Sequence, residues 1–200
     1  GEYRRIIEGI NATVDTIADK VAWFESILDA IPFPVSVTDL NMNWTFLNPA
    51  TAKMANVDKK QAIGTQCNRW NANICRTKDC GIECLRAGKR ETFFEQEGGF
   101  FKVDVGYVKD ASGKDIGHVE IIQDITAIKK VEKYLDESVR NITYCLGQFA
   151  KGKTDFDVRI PEADQYTQDV RKKIADLTDN LHQARDSVKN LVLQANRLAQ

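Results

Sequence analysis

Apolar residues recur with heptad spacing at both ends of this 200-residue chain, and the spacing is different in between. In the first stretch they follow alternating steps of four and three: Tyr3, Ile7, Ile10, Val14, Ile17, Val21, Phe24, Leu28 and Ile31. This spacing gives a helix a narrow apolar seam, which becomes buried when helices pair as a coiled coil. The sequence therefore predicts a pairing helix over residues 1–21. We expect the helical stretch to end at Pro32 and Pro34, which lack a backbone N–H.

The helical spacing returns in the last third of the chain. Its first stripe contains two consecutive four-residue steps, from Val131 to Leu135 and from Leu135 to Val139, and such an irregularity locally unwinds a coiled coil. Gly152 is expected to break this helix, and residues 154–164 are expected to be extended. A second coiled-coil helix is predicted from an unbroken heptad of Val170, Ile174, Leu177, Leu181, Ala184, Val188, Leu191, Ala195 and Leu198.

Between the heptads, apolar and polar residues alternate with a period of two, which predicts half-buried strands. The predicted strands are Val35–Leu40, Trp44–Leu47, Glu91–Glu95, Phe100–Lys109 and Ile116–Asp124. Asn48 is a candidate N-cap for a short helix over Ala50–Asp58, with Pro49 at its first position. Two strands, several short helices and three further strands predict an α+β fold.

The composition excludes several classes of protein. Apolar residues make up 42% of the chain and charged residues 28%, which is sufficient for a core. The 28 Lys and Arg residues nearly balance the 29 Asp and Glu residues, so charge gives no reason to expect a nucleic-acid partner. No apolar run of about 18 residues is present, so we expect no membrane insertion. No phosphate loop, nucleophile elbow or zinc-protease motif is found, and we expect the protein not to be an enzyme.

Four of the five cysteines lie close together in the chain, at Cys67, Cys75, Cys80 and Cys84. Four thiolates can hold zinc tetrahedrally or ligate an iron–sulfur cluster, although the spacing is not a paired Cys-x-x-Cys motif. Cys80 and Cys84 would share a face if both lay on one helix. Disulfides, reversible or static, are a second interpretation, and inert packing is a third.

Three segments carry a resemblance to PAS domains: residues 34–41 (PVSVTDLN), residues 44–54 (WTFLNPATAKM) and the triplet Asp124-Ile125-Thr126. The resemblance covers residues 22–128. It implies a five-stranded antiparallel sheet with short helices over one face and a small-molecule pocket between them. It also implies that the closing triplet leads into a signalling helix.

The segment after the PAS-like region resembles a HAMP domain over residues 129–185. Gly152, Phe156 and Ile160 match the glycine and the buried connector positions of that family. The acidic-glycine start of the second helix is absent here. Residues 1–21 resemble the end of a preceding HAMP-like unit, and residues 186–200 the start of a coiled-coil output helix. This layout is similar to the cytoplasmic part of a methyl-accepting chemotaxis protein.

The PAS resemblance places the cysteine-rich stretch beside the pocket. Trp70, Asn71 and Asn73 are candidate ligand-binding residues, although Trp70 is most simply core or pocket wall. His118 on the last strand could line the pocket, but a surface position is the favoured interpretation. Residues 64–69 (GTQCNR) resemble the core of flavin-binding light sensors but depart from it, so a flavin is a minor alternative. Haem is weakly supported, since no Cys-x-x-Cys-His motif occurs.

The residues and the resemblance together predict a homodimeric, cytoplasmic sensory module of a chemoreceptor. It would sense a ligand, a metal centre or a redox state through its cysteine-rich region. Its downstream signalling domain, and any membrane segments, would lie outside this chain. A scaffold that only dimerises and a zinc-stabilised structural domain are the rival interpretations.

Overall fold

The structure is a computed structural model that describes residues 1–198. Residues 199 and 200, which end the predicted output helix, lie outside the described residues. The chain divides into two compact units, one ending at Asp124 and the other beginning at Ile125. No helix within residues 1–198 is long and apolar enough to cross a bilayer.

The first unit begins with one long helix, α1 (Glu2–Asp29), as the heptad predicts. It ends before Pro32, with Ala30 as its C-cap. None of its residues is buried. The seam residues Ile10, Val14 and Ile17 each keep 57% of their surface exposed. The helix is therefore confirmed, and its pairing stays a prediction.

A five-stranded antiparallel sheet follows, in the spatial order β2-β1-β5-β4-β3. Its strands are β1 (Val35–Asp39), β2 (Trp44–Leu47), β3 (Glu91–Gln96), β4 (Gly99–Lys109) and β5 (Asp115–Asp124). The first and last strands of the chain segment pair at the centre of the sheet, while β2 and β3 form its edges. The predicted α+β fold with a five-stranded antiparallel sheet is confirmed.

Short helices connect β2 to β3. They are α2 (Pro49–Met54), α3 (Lys59–Ala62), a 3-10 turn (Cys67–Trp70) and α4 (Gly81–Arg86). The helix predicted over Ala50–Asp58 ends earlier, at Met54, because Asn56 adopts a left-handed φ of 51°. A left-handed residue cannot continue a right-handed helix.

The side chain of Asn48 joins the end of α1 to the sheet. It is completely buried. Its Oδ1 accepts hydrogen bonds from the backbone N–H groups of Val35 (3.0 Å) and Thr51 (2.9 Å). Its Nδ2 donates to three carbonyl oxygens in and after α1, those of Leu28, Ile31 and Phe33. Asn48 is thus the N-cap of α2, as predicted, and also the link between three elements.

A close approach of two strands requires glycine at position 117. Gly117 pairs with Asp39 across β5 and β1, and a Cβ added to Gly117 would collide with the backbone oxygen of Thr38. We expect Gly117→Ala to lower the free energy of unfolding by about 3 kcal/mol, because backbone must move to accommodate it. Gly106→Ala is the matched control, since its new Cβ would lie 3.7 Å from Val119 in ordinary contact.

Urea unfolding followed by tryptophan fluorescence measures both variants. All three tryptophans, Trp23, Trp44 and Trp70, lie in the first unit, so this signal reports on that unit alone. If the two alanine variants had equal midpoints of urea unfolding, the strands would separate without loss of stability, and the prediction would be wrong.

The second unit contains two long helices, α5 (Thr126–Ala150) and α6 (Gln168–Leu198), joined by a connector without regular secondary structure. Gly152 has a φ of 75° just after α5 ends, as expected for a helix break. Five buried residues form the core of this unit: Tyr134, Ile142, Cys145, Val158 and Ile174.

The connector runs antiparallel to α5. Cys145 Sγ lies 3.6 Å from the oxygen of Asp157. Earlier in α5, Tyr134 Oη donates to the oxygen of Pro161 at 3.2 Å, so contacts move backward along α5 as the connector moves forward.

The connector runs antiparallel to α6 as well. Val158 N–H donates to His182 Nε2 at 3.3 Å, while Arg185, one turn later in α6, donates to the oxygen of Phe156 at 2.6 Å. Helices α5 and α6 are therefore parallel, because both oppose the same connector. Phe156 and Ile160, the predicted buried connector positions, pack against the core of this unit.

Candidate functional site

The loop that carries the cysteines crosses one face of the sheet from edge to edge. At one end, Trp44 N–H donates to the oxygen of Thr65 at 2.8 Å, which holds the loop against β2. At the other end, Asn73 donates through Nδ2 to the oxygen of Glu95 (2.6 Å) and through N–H to Gln96 Oε1 (2.8 Å), which holds it against β3. The loop and α4 thereby cover the middle of the sheet.

An inner cavity lies between this loop and the sheet. Three aromatic side chains form much of its wall: Trp44, Trp70 and Phe94. Its volume is about 40 Å³, well below the roughly 300–1,000 Å³ of sites for drug-sized ligands. With the loop in this position, the inner cavity has room only for a ligand of very few atoms.

Glu120 on β5 supplies the only charged side chain that lines the inner cavity, within the part of the chain that the structure describes. It pairs across the sheet with Ser36 of β1 and Val105 of β4, and its side chain lies over Gly81 at the start of α4. Part of its surface remains accessible, and that surface faces the cavity. Burial nevertheless raises the pKa of the Glu120 carboxyl from 4.5 to about 7.

The Glu120 carboxyl has no hydrogen-bond or ion-pair partner among residues 1–198. A Cβ on residue 81 would collide with its Oε1, so the glycine there leaves room for the carboxyl. No fully buried side-chain oxygen or nitrogen lacks a partner within residues 1–198, so the unpaired Glu120 oxygens are accessible from the cavity. The sequence held one signal for it: Glu120 alternates with Ile122 on β5, and both line the cavity.

Three of the four clustered cysteines separate the inner cavity from an outer groove. Cys67, Cys75 and Cys80 line both spaces. The outer groove, of about 350 Å³, is also lined by charged side chains, among them Arg76 and Lys78.

The environment keeps these three thiols protonated. Burial, assisted by the negative charge of the nearby Glu120, raises the pKa of Cys67 to about 12. Burial also raises the pKa of Cys75 and of Cys80. A protonated thiol is a poor nucleophile and a poor metal ligand.

Cys84 lies apart from the other three. It is buried in α4, and its Sγ lies 3.6 Å from the oxygen of Lys78. All five cysteines of the chain are free thiols in this structure. Within residues 1–198, no three Cys, His, Asp or Glu side chains are grouped so that they could hold a metal ion. A zinc or iron–sulfur site at Cys67, Cys75, Cys80 and Cys84 stays a prediction.

The other predicted ligand-binding residues fall in different places. Trp70 lines the inner cavity. Asn71 ends the 3-10 turn with a left-handed φ of 60°, and Asn73 anchors the loop to β3. Both asparagines therefore shape the loop through their backbone and side-chain positions, and ligand contact by them stays a prediction.

His118 is buried, with 1% of its surface exposed, so the favoured surface position is wrong. Its Nδ1 lies 3.1 Å from Thr38 Oγ1 on the neighbouring strand, and its ring lies 5.5 Å from that of Tyr107. Burial, assisted by the positive charge of Arg86, lowers the pKa of His118. The strand pairing of Thr38 with His118 explains this contact.

Residues 28–130 match the protein family described as PAS fold, which is just over half of the chain. The chain belongs to the PAS-fold family. The match contains the whole sheet, the cysteine-rich loop, the inner cavity and Glu120. The PAS domain of this protein is thus the unit that holds the candidate site.

Solved PAS domains resemble the chain at low sequence identity. That of an HTR-like protein from Haloarcula marismortui is 13% identical, with a TM-score of 0.44, covering 57% of this chain and 99% of that one. That of BvgS from Bordetella pertussis is 16% identical, with a TM-score of 0.40, covering 62% and 98%. A sensory box sensor histidine kinase from Vibrio cholerae is 12% identical, with a TM-score of 0.41, covering 57% and 98%. No curated protein matches the chain significantly.

Proposed function

We propose that this chain is a sensory signal-transduction module in which the PAS domain detects a small ligand and passes the change to the helices that follow. One observation carries the proposal. Strand β5 holds Glu120 in the cavity wall, and after Ile125 the chain continues directly into α5. A change of the cavity that displaces β5 is therefore applied to the start of a 25-residue helix.

The second unit is suited to act as a HAMP-like relay. Its two helices are parallel and its connector packs along both, which is the arrangement that the resemblance to HAMP domains implies. The two consecutive four-residue steps around Leu135 depart from a regular heptad. An irregular seam of this kind supports two packings of similar energy, which a relay needs.

The module would act as a homodimer, with the second copy covering the seam of α1 and the apolar side of α6. Leu191, a heptad residue of α6, has 64% of its surface exposed in the single chain. Exposed apolar stripes of heptad spacing are the usual surfaces of coiled-coil dimers. The cytoplasmic part of a chemotaxis receptor is the setting that fits this arrangement, with a signalling domain beyond this chain.

Filling the inner cavity is expected to change the separation of the two α6 helices in the dimer. Ala72 is buried and lines the cavity, so Ala72→Leu places a larger side chain where a ligand would lie. We expect the distance between nitroxides carried by an unnatural amino acid at position 189 to shift by about 2 Å. Double electron–electron resonance spectroscopy measures this distance. Ala87→Leu, at the exposed end of α4, is the matched control.

The relay itself is tested by deleting residues 136–139 from α5. The deletion joins Leu135 to Ile142 in steps that continue a regular heptad. If the irregular seam carries the signal, the Ala72→Leu shift disappears in the deletion variant while α6 keeps its helicity. Two outcomes contradict the proposal: a monomer in solution, or a shift that survives the deletion undiminished.

A further inference from the structure

The inner cavity contains an acidic group, and its walls carry no positive charge that could neutralise this group. Glu120 is the charged member of the wall, and the remaining wall is made by aromatic and aliphatic side chains, by Ser36 and by the three thiols. No Lys, Arg or His side chain lines the cavity within residues 1–198. A carboxylate in such surroundings is unfavourable unless something that enters the cavity pairs with it.

A positively charged ligand would satisfy the Glu120 carboxylate. The walls favour an organic cation over a metal ion, because Trp44, Trp70 and Phe94 present aromatic rings, which attract ammonium groups. The thiols of Cys67, Cys75 and Cys80 would first have to lose protons before they could bind a metal. We propose that the inner cavity binds a small organic ammonium ion whose nitrogen pairs with Glu120.

The ligand must be small and must pass the three cysteines. A volume of about 40 Å³ holds only one or two heavy atoms with the loop in its present position, so an alkylammonium ion of a few heavy atoms requires the loop to move outward. The outer groove shares Cys67, Cys75 and Cys80 with the inner cavity, so it provides the entry path. This inference rests on the proposed sensory function and names its class of ligand.

Calorimetric titration of the whole chain with isopropylammonium chloride at pH 8 tests the pairing. Isopropanol, similar in shape but neutral, is the ligand control. We expect Glu120→Gln to weaken binding of the ammonium ion about tenfold or more and to leave isopropanol binding unchanged. Glu91→Gln is the matched control, because Glu91 on β3 lines neither the inner cavity nor the outer groove and pairs with Lys102 on the surface. Its affinity is expected to equal that of the unmodified chain.

A second measurement does not depend on a variant that must fold. The ¹³C chemical shift of the Glu120 carboxyl reports its own protonation in the unmodified chain. Saturating isopropylammonium is expected to lower the pKa of Glu120, because a cation favours the carboxylate. The other titratable groups that line the cavity are the thiols of Cys67, Cys75 and Cys80, whose raised pKa values keep them neutral at pH 7.

Three results would overturn the inference: equal affinity for the ammonium ion in Glu120→Gln, no shift of the Glu120 titration, or tighter binding of zinc chloride that is lost when the three cysteines are replaced by serine. None of them bears on the relay, since the Ala72→Leu experiment uses no ligand. A failed relay with intact ammonium binding would instead contradict the proposed function.

Discussion

Replacement of Asn48 by alanine is expected to lower the free energy of unfolding of the PAS domain by about 4 kcal/mol. The substitution removes the N-cap of α2, which alone contributes about 1 kcal/mol. It also leaves the buried backbone N–H of Val35 without its acceptor, and it removes the amide donor from three partly buried carbonyl oxygens, those of Leu28, Ile31 and Phe33. Each unsatisfied buried group costs roughly 1–3 kcal/mol, partly relieved by relaxation.

Asn48→Asp separates the accepting role of this side chain from its donating role. The aspartate keeps an oxygen for Val35 and Thr51 but turns a negative oxygen toward the carbonyls that Nδ2 contacts. We therefore expect it to be destabilising at pH 7 although it is a good N-cap. Asp58→Ala is the control, because Asp58 caps the exposed helix α3 and its loss should cost about 1 kcal/mol.

Urea unfolding by tryptophan fluorescence distinguishes these variants, since every tryptophan lies in the PAS-domain unit. Suppose instead that Asn48→Ala lowered the free energy of unfolding by only about 1 kcal/mol, the loss expected for an N-cap alone. The contacts of Asn48 with the end of α1 would then contribute nothing to stability. In that case α1 and the sheet would be only loosely joined.

Strands could be predicted from the sequence because the sheet imposes a period of two on each of them. Trp44–Leu47 forms β2 with the predicted bounds, and β5 begins one residue before the predicted Ile116. The hairpin between β3 and β4 was less well placed. The adjacent Gly98 and Gly99 in the sequence favour a turn at these two residues, whereas the left-handed pair in the structure is Glu97 and Gly98. Glutamate rarely adopts this conformation, so composition points to the two glycines instead.

The cysteine-rich loop could not be predicted in detail, because it has no periodicity to indicate which side chains face inward. Its path depends on left-handed residues such as Asn71 and Arg76 and on anchors to both edge strands. Spacing suggested that Cys80 and Cys84 share a helix face. Cys80 is instead the N-cap of α4, with an extended ψ of 137°, so helical spacing does not apply to it.

The long helices could be predicted from the sequence, but their pairing could not. Heptads predicted α1, α5 and α6, because an apolar stripe on one face is a property of the single helix. Which surface covers that stripe depends on a second molecule. The parallel arrangement of α5 and α6, by contrast, follows from contacts within one chain, through Tyr134 and His182.

The stability of the PAS domain is expected to fall with rising pH through the titration of Glu120. Its pKa is raised from 4.5 to about 7 in the folded chain, so between these values the unfolded chain has lost the proton while the folded chain keeps it. Ionisation then favours unfolding, and the penalty grows until about pH 7 and levels off above it. At 1.36 kcal/mol for each pH unit, the loss amounts to about 3 kcal/mol.

Urea unfolding of the unmodified chain and of Glu120→Gln isolates this loss. It is measured at pH 4.5, 5.5, 6.5 and 7.5, because this range spans the pKa values of the unfolded and the folded chain. Between pH 4.5 and pH 7.5, the free energy of unfolding of the variant is expected to rise by about 3 kcal/mol relative to that of the unmodified chain. His118 acts in the opposite direction, since its lowered pKa contributes stability that is lost as the pH falls, but both chains contain it. A difference between the two chains that stays constant with pH would show that the Glu120 carboxyl is already satisfied. The cavity would then have no need of a cation, because an unpaired carboxyl is the reason for one to bind.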